Sequence, residues 1–123
     1  MTTVTTEEIA QFRTELAAYP KILKSLDAIE DCEGDLEDAA LGLAIEIGQL
    51  PDRSDWLDGF AKRCRPAICQ KDVKENLLNG KLVAVVESLI QSRVCPQLLI
   101  APVIMYVMKQ GLDAFCEPLS FKL

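Results

Sequence analysis

The sequence predicts an all-α fold, a compact bundle of six to seven short helices, from three observations. Apolar residues recur at three- and four-residue spacing through one segment after another. Helix starts and stops (Thr, Asp and Ser caps, prolines, glycines) punctuate those segments at regular intervals. Leu98 to Met108 forms the longest apolar run in the chain and offers a surface for the amphipathic segments to pack on. At 123 residues the chain fits one domain, 1–123, able to bury roughly two-thirds of its unfolded surface.

Each element has its own justification. Thr5 and Glu8 form a capping box, with Val4 and Ile9 placed as a hydrophobic staple. Ile9, Phe12, Leu16 and Tyr19 continue the stripe, so a helix is expected at 6–18, ending before Pro20. Pro20 suits the first turn of a second helix, 20–31, with Ile22, Leu23, Leu26 and Ile29 inward and Gly34 as its stop. Asp35 caps a third, 36–49, whose wide apolar arc calls for burial on more than one side. Gly42 within it costs about 1 kcal/mol of helix propensity against alanine, so close approach of a neighbouring helix is expected there.

Ser54 caps a fourth helix, 54–64, striped by Trp56, Leu57, Phe60 and Cys64 and ending at Pro66. A shorter helix follows from 73. Asn79–Gly80 then reads two ways: as a helix stop, or as a hairpin turn joining 77–78 to 82–86. Helical spacing of Leu82, Val85, Val86, Leu89 and Ile90 favours a helix at 80–92. In the last long segment Pro102 removes a backbone donor, so that helix is expected to kink or split there, a turn at 96–100 leading to a helix at 102–110. Gly111 closes it, and Asp113 to Cys116 can add one turn. Residues 118–123 alternate apolar and polar, an extended tail offering Leu119, Phe121 and Leu123 to an interface.

Composition limits the function. With no histidine, the commonest general base and metal ligand is missing. There is no phosphate-binding glycine loop and no Cys-x-x-Cys, so neither a cofactor nor a metal is expected. The acidic stretch Asp31, Glu33, Asp35, Glu37, Asp38 fails as a calcium loop, because Leu36 stands where glycine is needed and Gly42 where glutamate is needed. Asp27 with Glu30 could do acid–base work only in a dry pocket, which nothing in the sequence marks. Five cysteines at irregular spacing read as plain core or boundary thiols of a reducing compartment, and a cytoplasmic location is expected. The run at 98–108 is too short for a membrane span of about 20 apolar residues, so no membrane association is expected.

The net charge of −6 argues against a nucleic-acid partner. Its distribution is more informative. Asp27 to Asp58 holds eleven acidic residues and only Arg53 as a base; Lys62 to Lys81 holds six bases against Asp72 and Glu75. Opposite charge in adjacent segments can pair within the fold or steer one copy onto another. Trp56 with Lys62, Arg63 and Arg65 is the surface candidate for a partner carboxylate or other anion. The expected function is non-catalytic: protein–protein interaction or self-association, possible as a homodimer. The alternative is a small-molecule- or lipid-binding helical protein, or an enzyme using carboxylates or Cys64.

Overall fold

A computed structural model describes residues 1–51 and 55–120, the last two by backbone alone. Among the described residues the chain is all-α, with eight helices: α1 (Thr6–Glu15), α2 (Pro20–Asp31), α3 (Leu36–Glu46), α4 (Trp56–Ile68), α5 (Lys71–Leu78), α6 (Leu82–Ser92), α7 (Gln97–Gln110) and α8 (Leu112–Ser120). The count exceeds the six to seven expected, because α5 and α8 are both full helices.

Helix α7 is the axis of the bundle. Every residue from Leu98 to Val107 is buried. It packs against α2, α3, α4, α6 and α8, while α1 lies on α2 and α6. The expected break at Pro102 does not occur: α7 runs through it. A proline in a helix interior costs about 3 kcal/mol. Burying Val103, Ile104 and Val107 beyond it, each worth about 1.5–3 kcal/mol, outweighs that. The chain bends instead at Gly111, where α7 and α8 meet at 96°. No single helix among the described residues is long and apolar enough to cross a membrane.

Pro66 misled for the same reason. Helix α4 was expected to stop at 64 but runs through Pro66, which lets Ala67 and Ile68 join the core. Helix α8 runs through Pro118 to Ser120, so 118–120 are helical where extended chain was expected. Phe121 and Leu123 lie outside the described residues, as does the side chain of Leu119. Ser54, the expected cap of α4, also lies outside them.

Local chemistry sets several boundaries. The capping box forms: the Glu8 amide donates to Thr5 Oγ1 at 3.1 Å and the Thr5 amide to Glu8 Oε1 at 2.9 Å. Helix α1 ends at Glu15, three residues early, because Leu16 already turns out of helical geometry while staying fully buried. At the end of α5, Lys81 N–H donates to Asn76 at 2.8 Å and Gly80 N–H to Leu77 at 3.2 Å, with Gly80 at φ +71°. That is the paired bonding of a glycine-closed helix end, so residues 77–86 form a helix junction and not a hairpin.

The first residues contribute more than a helix start. Val4 N–H donates to Gly34 C=O at 3.0 Å and Leu36 N–H to Thr2 C=O at 2.9 Å, a short antiparallel contact across the α2–α3 turn. Glu37 accepts from the Thr2 amide and hydroxyl at 2.7 and 2.9 Å. Arg13 ties α1 to α2 through Asp27 at 2.7 Å and Glu30 at 3.2 Å. Those two carboxylates therefore hold an ion-pair network together.

Candidate functional site

The four residues expected at the basic end of α4 are not brought to one site. Trp56 stacks on Phe60, centroids 5.0 Å apart, and the Arg63 guanidinium covers the same Phe60 ring at 5.1 Å. Positions 56, 60 and 63 share one helix face, so these three form a column. Lys62 is engaged elsewhere, 2.8 Å from Asp58. Arg65 points the other way, its guanidinium 4.9 Å above the Phe115 ring of α8 and its Nε buried without a hydrogen-bond partner. Of the set, Arg63 is the exposed cation against an aromatic, with Lys62, Lys71 and Lys81 also exposed on the α4–α6 flank.

Asp58 anchors a small network. It accepts from Tyr106 Oη at 2.6 Å as well as from Lys62. The Lys62 ammonium, and after it the Tyr106 hydroxyl, hold its carboxyl below the ordinary value of 3.8. Burial and Asp58 push the Tyr106 phenol up. Glu8 is likewise held below its ordinary 4.5, chiefly by the Thr5 amide and then by Lys109 at 2.9 Å. Both carboxyls titrate lower folded than unfolded. Their contribution to stability is complete above those ordinary values and is lost as pH falls through the lower folded ones. Thermal melts should therefore show stability declining below about pH 4. Tyr106→Phe should cost about 1 kcal/mol at pH 7, a difference that narrows once Asp58 is protonated. Equal differences at pH 7 and pH 2.5 would count against this network.

A groove on the α2–α3 face escaped the sequence. It is a groove of about 540 Å³ whose floor is Ala28, Ala39, Gly42 and Leu43 and whose rim carries Asp27, Asp31, Asp38 and Glu46. Ile45 stands beside it 63% exposed. Gly42 does not serve close helix packing, as the sequence suggested: a Cβ there would meet nothing within 4 Å. Its missing side chain deepens the groove instead. Lys24 at the rim pairs with Glu46 at 2.9 Å. Cys32 also lines the groove, and burial, then Asp38, Asp35 and Asp31, raise its thiol pKa. The signal for this groove was present as small residues at helical spacing, Ala28 on α2 and Cys32 just past its end, with Ala39 and Gly42 on α3.

The cysteines depart most from expectation. Cys69, capping α4, is disulfide-bonded to Cys116 of α8, Cα atoms 5.6 Å apart. Irregular spacing hid this, because the bond joins residues 47 apart that only the bend at Gly111 brings together. Cys32, Cys64 and Cys95 are free. Cys64 is fully buried on the α4 stripe, and Cys95 is 3% exposed. The Cys95 thiol, with help from Arg63, lowers the Cys64 pKa, and the Cys64 thiol together with burial raises that of Cys95. Among the described residues no three His, Cys, Asp or Glu side chains are grouped to hold a metal ion. Compared with family models, curated proteins and solved structures, the chain matches none.

Proposed function

We propose that the chain is a non-catalytic helical module that self-associates, the acidic groove between α2 and α3 of one copy receiving the basic α4–α5 flank of another. The observation that carries this reading is the groove itself: an apolar floor of small residues with an acidic rim and exposed Ile45 beside it. From Asp27 to Glu46 there are eight acidic residues and no base, and from Lys62 to Lys81 six bases. Apolar floor area supplies affinity, and rim charge supplies orientation and salt dependence. Groove and flank are different surfaces, so the contact is head-to-tail and closes as a ring or continues as a chain of copies.

The readings of a small-molecule or lipid carrier and of a carboxylate enzyme have less support. Asp27, Glu30, Glu37 and Asp58 are each spent on ion pairs or hydrogen bonds. The Cys69–Cys116 bond weighs against the strongly reducing cytoplasm expected from the sequence, since disulfides persist mainly in oxidising compartments.

Sedimentation velocity tests the self-association. At low salt, about 0.05 M, species heavier than the 13.6 kDa monomer are expected. At about 0.5 M, where screening acts within about 4 Å, they should largely dissociate. A 13.6 kDa monomer at both salt concentrations contradicts the proposal.

A further inference from the structure

A cleft of about 480 Å³ opens where the start of α2, the end of α3 and the α6–α7 connection meet. That volume suits a small-molecule site. Its walls are of two kinds. Ile47, Ile90, Val94, Pro96 and Leu98 make an apolar lining, and Lys21, Lys24 and Arg93 supply positive charge. Among the described residues no acidic side chain lines it, although the chain as a whole carries a net charge of −6. Lys24 is committed to Glu46 at 2.9 Å, whereas Lys21 and Arg93 have no ion-pair partner among the described residues. Gln97, half-buried at the first position of α7, adds a side-chain amide that has no hydrogen-bond partner among them either.

We propose that this cleft binds a small amphipathic carboxylate, its head held by Arg93 and Lys21 and its apolar body lying against Ile47, Ile90 and Leu98. The flat, two-oxygen head matches the fork of a guanidinium, and the lysine adds a second positive charge. Gln97 can donate to the same head. Gln97 and Leu98 also belong to the first turn of α7, where no side chain caps the helix and the dipole favours negative charge. The apolar walls decide that the anion carries a hydrocarbon body, since a bare anion would leave them in water.

Arg93 gives an independent pointer. It ends α6 in the left-handed region at φ +60°, a conformation that glycine adopts without strain and arginine does not. The turn alone gives no reason for a side chain at this position; a charged group delivered to the cleft does. The site is built within one copy from α2, α3, α6 and α7, so its occupancy does not depend on self-association.

Octanoate is the probe, with octanol as the uncharged body and acetate as the bare head, each titrated calorimetrically into the folded protein. Octanoate should bind at least about tenfold more tightly than either. Lys21→Glu with Arg93→Glu should weaken octanoate by at least about tenfold and leave octanol unchanged. Arg93→Gly separates binding from folding: the variant should melt no lower than the parent, because its left-handed backbone is relaxed, and should still bind octanoate more weakly. Amide NMR shifts on adding octanoate should fall on residues 21–24 and 93–98. Octanoate that binds no more tightly than octanol, or equally well to the charge-reversed or glycine variants, overturns the anion site. Binding no tighter than that of acetate overturns the role of the apolar walls, and shifts confined to the α2–α3 groove overturn the location.

Discussion

Replacing Cys69 and Cys116 together by serine is expected to cost about 3 kcal/mol and to lower the melting temperature by roughly 10 °C. The bond closes a loop across a sequence separation of 47 residues. Loop-closure entropy for a loop of that length is worth about 4 kcal/mol at 25 °C, and residual structure in the unfolded chain takes part of it back. The effect should be concentrated on α8. That helix is attached to the bundle by the Cys69–Cys116 bond, by buried Phe115 and by Arg65 lying over the Phe115 ring. Without the bond, this short helix keeps the Phe115 anchor and the solvent-exposed Lys74–Asp113 ion pair at 3.2 Å. Urea unfolding of the parent and double-serine proteins gives the cost, and limited proteolysis should cut first near residues 111–118. Superimposable unfolding curves would mean that the bond constrains nothing the unfolded chain explores.

Gly34→Ala should cost about 2–4 kcal/mol, measured in the same unfolding experiment. Two facts combine at this residue. Its φ is +85°, directly after Glu33 at +56°, so the α2–α3 turn holds two consecutive left-handed residues. The added Cβ would also run into the Val4 carbonyl oxygen, a backbone atom that cannot swing aside as a side chain can. Moving it breaks the Val4–Gly34 hydrogen bond and draws Thr2 off Leu36 and Glu37. Gly42→Ala is the matched comparison. There the Cβ meets nothing and the residue is helical, so a gain of about 0.5–1 kcal/mol is expected. Equal effects at the two positions would contradict this account of the turn.

How much of this was legible in the sequence follows a physical line. Signals confined to a few residues read correctly. Thr5 and Glu8 form their box, Pro20 opens α2, Asp35 caps α3 at 3.1 Å, and Gly80 closes α5. Signals that compete with burial read wrongly. Pro66 and Pro102 were each taken as breaks, but a local cost of a few kcal/mol yields to the apolar residues that continuing the helix buries. Features that depend on distant residues meeting were not legible at all. Nothing near Cys69 or Cys116 announces the other. The charge asymmetry was legible, but the groove it rims was not, because Gly42 looked like a packing residue until the space above it was seen to be open.

The central claim is that two different faces of one chain recognise each other, and complementation between two variants tests it most directly. Asp31→Lys with Glu46→Lys reverses charge at the groove. Both sites lie in the last turn of a helix, where a cation is favourable, so folding should be preserved. Arg63→Glu with Lys71→Glu reverses the basic flank at exposed positions. Each variant alone keeps one working face and should sediment as a 13.6 kDa monomer at low salt. An equimolar mixture should form a 1:1 dimer, because the intact groove of one meets the intact flank of the other, and that dimer should dissociate at about 0.5 M salt. A mixture that stays monomeric while the unaltered protein associates, or variants that associate on their own, would contradict head-to-tail recognition between these two faces.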